Sequence, residues 1–142
     1  MSGFGNKKKF EKITVPKDKE VLENNSSYIW QDNNIIWVVF KLGVELSLDI
    51  AKKMVHDRKQ ISKCVTMPIF IDIRQLITAN RKVRRYMASS EAIEFISAGD
   101  MLIDNPIARF LGNTWIKFDK PSIPTKLFTD KESALEWLES YK

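Results

Sequence analysis

The chain has 142 residues, 44% of them hydrophobic and 29% charged. That is enough for one domain to bury a core without disulfide or metal staples, and too apolar for wholesale disorder. Its one cysteine, Cys64, excludes an intramolecular disulfide. No apolar run is long enough to cross a bilayer, and the N-terminal lysines lack the apolar segment of a secretory signal, so cytoplasmic residence is expected. The net charge of +5 divides into +3 over the first 20 residues, +5 over 74–90 and −3 over the rest, a mildly acidic body with a basic tail and one basic patch.

Residues 1–26 are polar and carry six lysines, which predicts a flexible basic tail ahead of a single domain over 27–142. Order is expected from Tyr28. Tyr28–Gln31 and Ile35–Phe40 are rich in β-branched and aromatic residues, and Asp32-Asn33-Asn34 between them is turn chemistry, so a β-hairpin is predicted. Ser47 is a candidate N-cap, and Leu48, Ala51, Met54, Val55, Arg58 and Ile61 recur at helical spacing as far as about Lys63. Pro68 opens the apolar run Ile69-Phe70-Ile71-Asp72-Ile73, whose lack of alternation suits a strand covered on both faces.

A helical pattern from about Ala79 to Ser97 carries a second capping signal at Ser89-Ser90-Glu91, so two helical pieces are expected, followed by a buried strand over Ala98–Ile103. Asn105 then caps a helix with Pro106 at its first position. Its expected buried stripe is Ile107, Phe110, Leu111, Thr114, Trp115 and Phe118. Thr125–Phe128 makes a last strand. Thr129-Asp130-Lys131-Glu132 reads as a capping box for a final helix with Ala134, Leu135, Leu138 and Tyr141 inward. The predicted order is β-β-α-β-α-β-α-β-α. This is an α/β fold with a mostly parallel central sheet and an N-terminal antiparallel hairpin.

Several stretches resemble a known family: Pro68-Ile69-Phe70-Ile71-Asp72-Ile73-Arg74, Tyr86-Met87-Ala88-Ser89, Ser97-Ala98-Gly99, Asn105-Pro106-Ile107-Ala108-Arg109, Gly112-Asn113, and the closing runs Lys120–Asp130 and Ala134–Leu138. Together with the element order they are similar to the STAS superfamily, the anti-sigma-factor-antagonist or SpoIIAA-like fold, and to its small uncharacterised bacterial STAS/SEC14-like members. The resemblance spans about Tyr28 to Tyr141. It implies a STAS-like domain and a non-enzymatic interaction or regulatory role. Some STAS domains switch partners when a serine at the start of the second helix is phosphorylated, in a motif with an Asp-Ser pair before a glycine. The matching stretch here, Leu76-Ile77-Thr78-Ala79-Asn80-Arg81, offers only Thr78 as a hydroxyl and lacks both the pair and the glycine, so the switch is not carried over.

No residues form a catalytic or metal-binding motif, and no cofactor is expected. His56, the only histidine, and Cys64 have no partners at motif spacing, so a surface histidine and an incidental thiol are the simpler readings. Asp72, Asp100 and Asp104 lie in or at the ends of predicted parallel strands, where α/β enzymes place acids but where a lone acid more often caps the next element. Trp30, Trp37, Trp115 and Trp137 suit core packing. An exposed hairpin pair would instead mark a homodimer face or an apolar ligand groove.

Arg74, Arg81, Lys82, Arg84 and Arg85 have no interspersed acid, and like charges at helical spacing repel. They form either a solvated face or a surface for an anionic partner: an acidic protein or a small anion. Nucleic acid is not expected, because no aromatic residues interleave with the patch. Three functions follow: an interaction module using residues 74–85, binding of a small apolar or lipid-like ligand in a pocket with Trp37, Met54 and Phe110, or a small enzyme using strand-end carboxylates.

Overall fold

A computed structural model describes residues 10–142. Its elements are β1 (Val21–Glu23), β2 (Ser27–Asp32), β3 (Ile35–Phe40), β4 (Val44–Leu46), α1 (Leu48–Ser62), β5 (Met67–Asp72) and β6 (Leu76–Ala79). They continue with α2 (Arg81–Met87), α3 (Ser90–Ile93), β7 (Ile96–Leu102), α4 (Pro106–Thr114), a π-helical turn (Trp115–Asp119), β8 (Thr125–Phe128), α5 (Lys131–Leu138) and a closing 3-10 turn (Glu139–Tyr141).

Six strands form one sheet in the order β1-β2-β3-β5-β7-β8, antiparallel up to β3 and parallel beyond it. A separate parallel pair, β4 and β6, stands beside it. This is the expected α/β class with its mostly parallel sheet and opening hairpin. In the hairpin Asn33 and Asn34 take left-handed φ values of 53° and 58°, the backbone of a two-residue turn whose twist matches the flanking strands.

From β3 onward the chain steps across the sheet in one direction. Right-handed crossovers therefore place α1, α2 and α4 on the same face. There Met54 and Ile61 of α1, Val83 of α2 and Leu111 of α4 pack with Ile36, Val38 and Ile69 of the sheet. The opposite face is covered by α5 and by the segment carrying Ile13, over Trp30, Phe70, Ala98 and Leu102. Strand β5 explains its uninterrupted apolar run, because Ile69 faces one layer and Phe70 the other.

The helices start where the sequence marks them. Ser47, Asn80, Ser89, Asn105 and Asp130 each accept a backbone N–H three residues on. Asp130, rather than Thr129, caps the last helix.

Four differences from expectation stand out. Order begins before Tyr28, since Val21–Glu23 pairs with β2 and Ile13 is buried in the second core. Residues 1–9 of the expected tail lie outside the described residues. Strands β1, β4 and β6 are three or four residues long, too short for a two-residue alternation to register in the sequence. Strand β7 begins at Ile96, inside the stretch expected to be helical.

The fourth difference concerns α4. Its inward positions are Ala108, Leu111 and Gly112, with Trp115 just beyond, whereas Ile107, Phe110 and Phe118 are 54%, 65% and 78% exposed. Close approach to the sheet selects the small residues. A Cβ on Gly112 would lie 2.6 Å from Cδ2 of Leu127 on β8, so any larger residue there would have to displace the Leu127 side chain.

Candidate functional site

The five basic residues singled out in the sequence separate into two kinds. Arg74 lies just past β5 and is committed to the fold. Its Nε donates to Asp72 Oδ1 at 2.9 Å and its Nη2 to Asp72 Oδ2 at 2.8 Å, with both side chains under a tenth exposed. The same Nη2 donates to the Glu11 carbonyl at 2.7 Å, and the guanidinium sits 4.1 Å from the Phe10 ring centroid. Arg74 thus pins the N-terminal segment across the end of β5, using the fork geometry only arginine supplies. Arg84 is also engaged. Its Nε donates to Asp119 Oδ2 at 3.1 Å and its Nη1 to the Ala79 carbonyl at 2.6 Å.

Arg81, Lys82 and Arg85 are exposed, and none has an ion-pair partner among the described residues. All three project from α2, a seven-residue helix too short to add a large dipole of its own. Beside them an open groove of about 330 Å³ runs between α2 and the end of α4. Arg81, Arg84 and Arg85 line one wall, and Thr114, Phe118 and Asp119 line the other. The Arg84–Asp119 pair joins the two walls, so that carboxylate is already matched.

The strand-associated acids do not converge. Asp72 is neutralised by Arg74, and Asp104 is exposed and accepts from Asn105 Nδ2 at 2.8 Å. Asp100 lies within β7 rather than at its end. It is 0% exposed, and neither carboxylate oxygen has a hydrogen-bond partner. Burial pushes its pKa up from 3.8 to about 8. In register it stands between Phe70 and Lys126, but the Lys126 ammonium lies 5.3 Å over the Phe128 ring instead. Among the described residues no three His, Cys, Asp or Glu side chains gather where they would hold a metal ion.

His56 and Cys64 are exposed. Thr78 is exposed on β6, and the residue that caps the following helix is Asn80. Trp30 and Trp37 stack at 5.5 Å with planes 11° apart in the layer under α5, and Trp37 lies 4.9 Å from Phe70. The hairpin pair is therefore core.

The helix-covered layer on the other face contains a cavity of about 110 Å³, lined by residues including Met54, Val83, Met87, Ile96 and Trp115. Of the three residues expected to line such a pocket, only Met54 does so. Trp37 belongs to the opposite layer, and Phe110 points to solvent. The Trp115 indole N–H is buried without an acceptor.

Sequence reasoning missed Arg58, which it counted merely as a position in an apolar stripe. Arg58 is 3% exposed and donates to the carbonyls of Ala92 at 2.6 Å and Glu94 at 2.7 Å, closing the end of α3. Burial lowers its pKa to about 10, so it remains a cation at neutral pH. It also missed the outward face of α4, because a hydrophobic pattern marks a stripe but not which way the stripe turns.

Residues 29–142 match the family model described as a domain of unknown function, DUF7793. No curated protein matches the chain. Two solved structures are similar in fold. One is an uncharacterised protein of the DUF3478 family with a SpoIIAA-like fold from Shewanella loihica PV-4. It is 15% identical, with 88% of this chain and 98% of that chain covered and a TM-score of 0.55. The other is a serine-to-glutamate variant of RsbS from Moorella thermoacetica, 19% identical, covering 79% of this chain and 93% of that chain at a TM-score of 0.50.

Proposed function

The chain belongs to the DUF7793 family and has a SpoIIAA-like fold, and from that premise we propose that it is a non-enzymatic, cytoplasmic interaction module whose surface around Arg81, Lys82 and Arg85 receives a protein partner. The observation that carries the reading is the sorting of the basic cluster. Arg74 and Arg84 have carboxylate partners, while the other three cations of α2, Arg81, Lys82 and Arg85, are exposed and have none among the described residues. Unmatched like charges on one helix repel, and an anionic partner relieves that repulsion on binding.

Topology supports the same reading. Strand-end active sites in α/β sheets form where the strand order reverses. This sheet runs through β3, β5, β7 and β8 without reversal. Neither Asp72 nor Asp104 lines either cavity, and Asp100, which lines the 110 Å³ one, has no second Asp, Glu, His or Cys beside it in that lining. RsbS supports a regulatory role by likeness of fold.

The test is capture of partners from a lysate of the source organism by the full chain and by an Arg81→Glu/Arg85→Glu double variant, read by quantitative mass spectrometry. A partner captured by the first and lost by the second supports the reading, whereas equal capture by both removes it.

A second reading is favoured by one observation, the 110 Å³ apolar cavity with the unpartnered Trp115 N–H at its wall. A cavity of that size suits a small apolar molecule carrying one hydrogen-bond acceptor. Native mass spectrometry of freshly purified protein tests it, and a chain that flies only at its own mass counts against it.

A further inference from the structure

Of the seven exposed large apolar side chains among the described residues, five lie on α4 and its π turn, on β6, or in the turn before β4: Ile107, Phe110, Phe118, Ile77 and Leu42. Ile107, Phe110 and Phe118 lie along α4 and the π turn that continues it. Strand β6, which carries Ile77, packs beside α4. Leu42 precedes Gly43, whose α-carbon faces Ile77 across a gap that a Cβ would close to 3.6 Å. At its far end the strip reaches the groove where Phe118 faces Arg81 and Arg85.

Proteins seldom leave two phenylalanines along one helical run more than 60% exposed, one of them facing two unpaired arginines, without a use for them.

We propose that the α4–π-turn strip and the α2 cations together form a docking groove for an amphipathic acidic helix of a partner protein, with Phe110 and Phe118 taking its apolar face and Arg81 and Arg85 its carboxylates. The proposal rests on the interaction-module reading above and specifies its partner. Residues 107, 110 and 114 follow α-helical spacing and the π turn adds 118, so the strip runs for about three turns, the length of a short second helix. Charge complementarity sets the sign of the occupant.

A second copy of this chain fits less well, because the groove offers Arg81 and Arg85 but no free carboxylate, so two such faces would meet with the same sign of charge. An anionic bilayer fits less well. A concave groove accepts a ridge rather than a plane.

The test pans a display library of random peptides about 12 residues long, three helical turns, against the full chain. The expected winners carry Asp or Glu beside Leu, Phe or Trp at three- and four-residue spacing. Their affinity should fall by at least about ten-fold in Phe110→Ser/Phe118→Ser and in Arg81→Glu/Arg85→Glu, with thermal melts unchanged because these side chains are exposed. Winners lacking acids, or affinity unchanged in either double variant, overturn the groove. Co-sedimentation of the chain with phosphatidylserine vesicles at physiological salt, lost in the same variants, would overturn it in favour of a membrane surface. Failure of the groove alone leaves the lysate capture by the α2 cations standing, so the two readings fail separately.

Discussion

Replacing Asp100 by asparagine should stabilise the protein, and by an amount that depends on pH. In the folded chain the carboxyl is fully buried with no hydrogen-bond partner, and its pKa stands near 8 rather than 3.8. It is therefore neutral when folded at pH 7 but ionised when unfolded. The folded state binds the extra proton, so stability is greatest below the unfolded pKa and declines as pH rises toward the folded pKa.

At pH 7 the gap is about three pH units at roughly 1.4 kcal/mol each, which sets the penalty at about 4 kcal/mol. An amide of the same size carries no such penalty. The Asp100→Asn variant should thus equal the wild type near pH 4, exceed it by about 4 kcal/mol at pH 7, and hold a constant margin above pH 8 or so. Urea denaturation of both proteins at a series of pH values measures the margin. A difference that stays constant between pH 5 and pH 9, or a less stable variant at pH 7, would refute the account of Asp100 as a buried neutral acid.

Two further outcomes follow from the packing. Arg58→Ala should cost about 3 kcal/mol, because the carbonyls of Ala92 and Glu94 lose a charged donor in a buried place; the shift in urea midpoint checks it, and a loss below about 1 kcal/mol would speak against the role assigned to Arg58. Gly112→Val should destabilise by about 2 kcal/mol through collision with Leu127, and adding Leu127→Ala should recover part of that loss in a double-mutant cycle; simple additivity of the two would show that they do not meet.

The fold was legible in the sequence wherever one element buries one continuous pattern. The caps at Ser47, Asn105 and the Ser89 step, the Asn33-Asn34 turn and the apolar run of β5 all act within a few residues, so local chemistry specifies them. Contacts between distant segments were not legible. That Arg74 spends its charge on Asp72 and the Glu11 carbonyl, 63 residues away, depends on where the chain returns in space. The pairing of Arg84 with Asp119 is of the same kind.

The α4 stripe shows the limit most clearly. Its large apolar residues read as core by hydrophobicity. The sheet instead accepts the face with Ala108 and Gly112, because the distance between helix and strand is fixed by size.

The strand order has a consequence for synthesis. From β1 to β8 each main-sheet strand is laid beside the one that preceded it in the chain, so every strand leaving the ribosome finds its neighbour already made. Assembly can begin with the Asn33-Asn34 hairpin and grow by one β-α unit at a time, with a single open edge advancing toward the C-terminus. Only the last step, when α5 folds back over Trp30, Phe70 and Leu102, seals the second face. A nascent chain stopped before Lys131 would have that aromatic face covered only by the segment carrying Ile13, and the stretch 131–142 decides when the newborn protein stops being sticky.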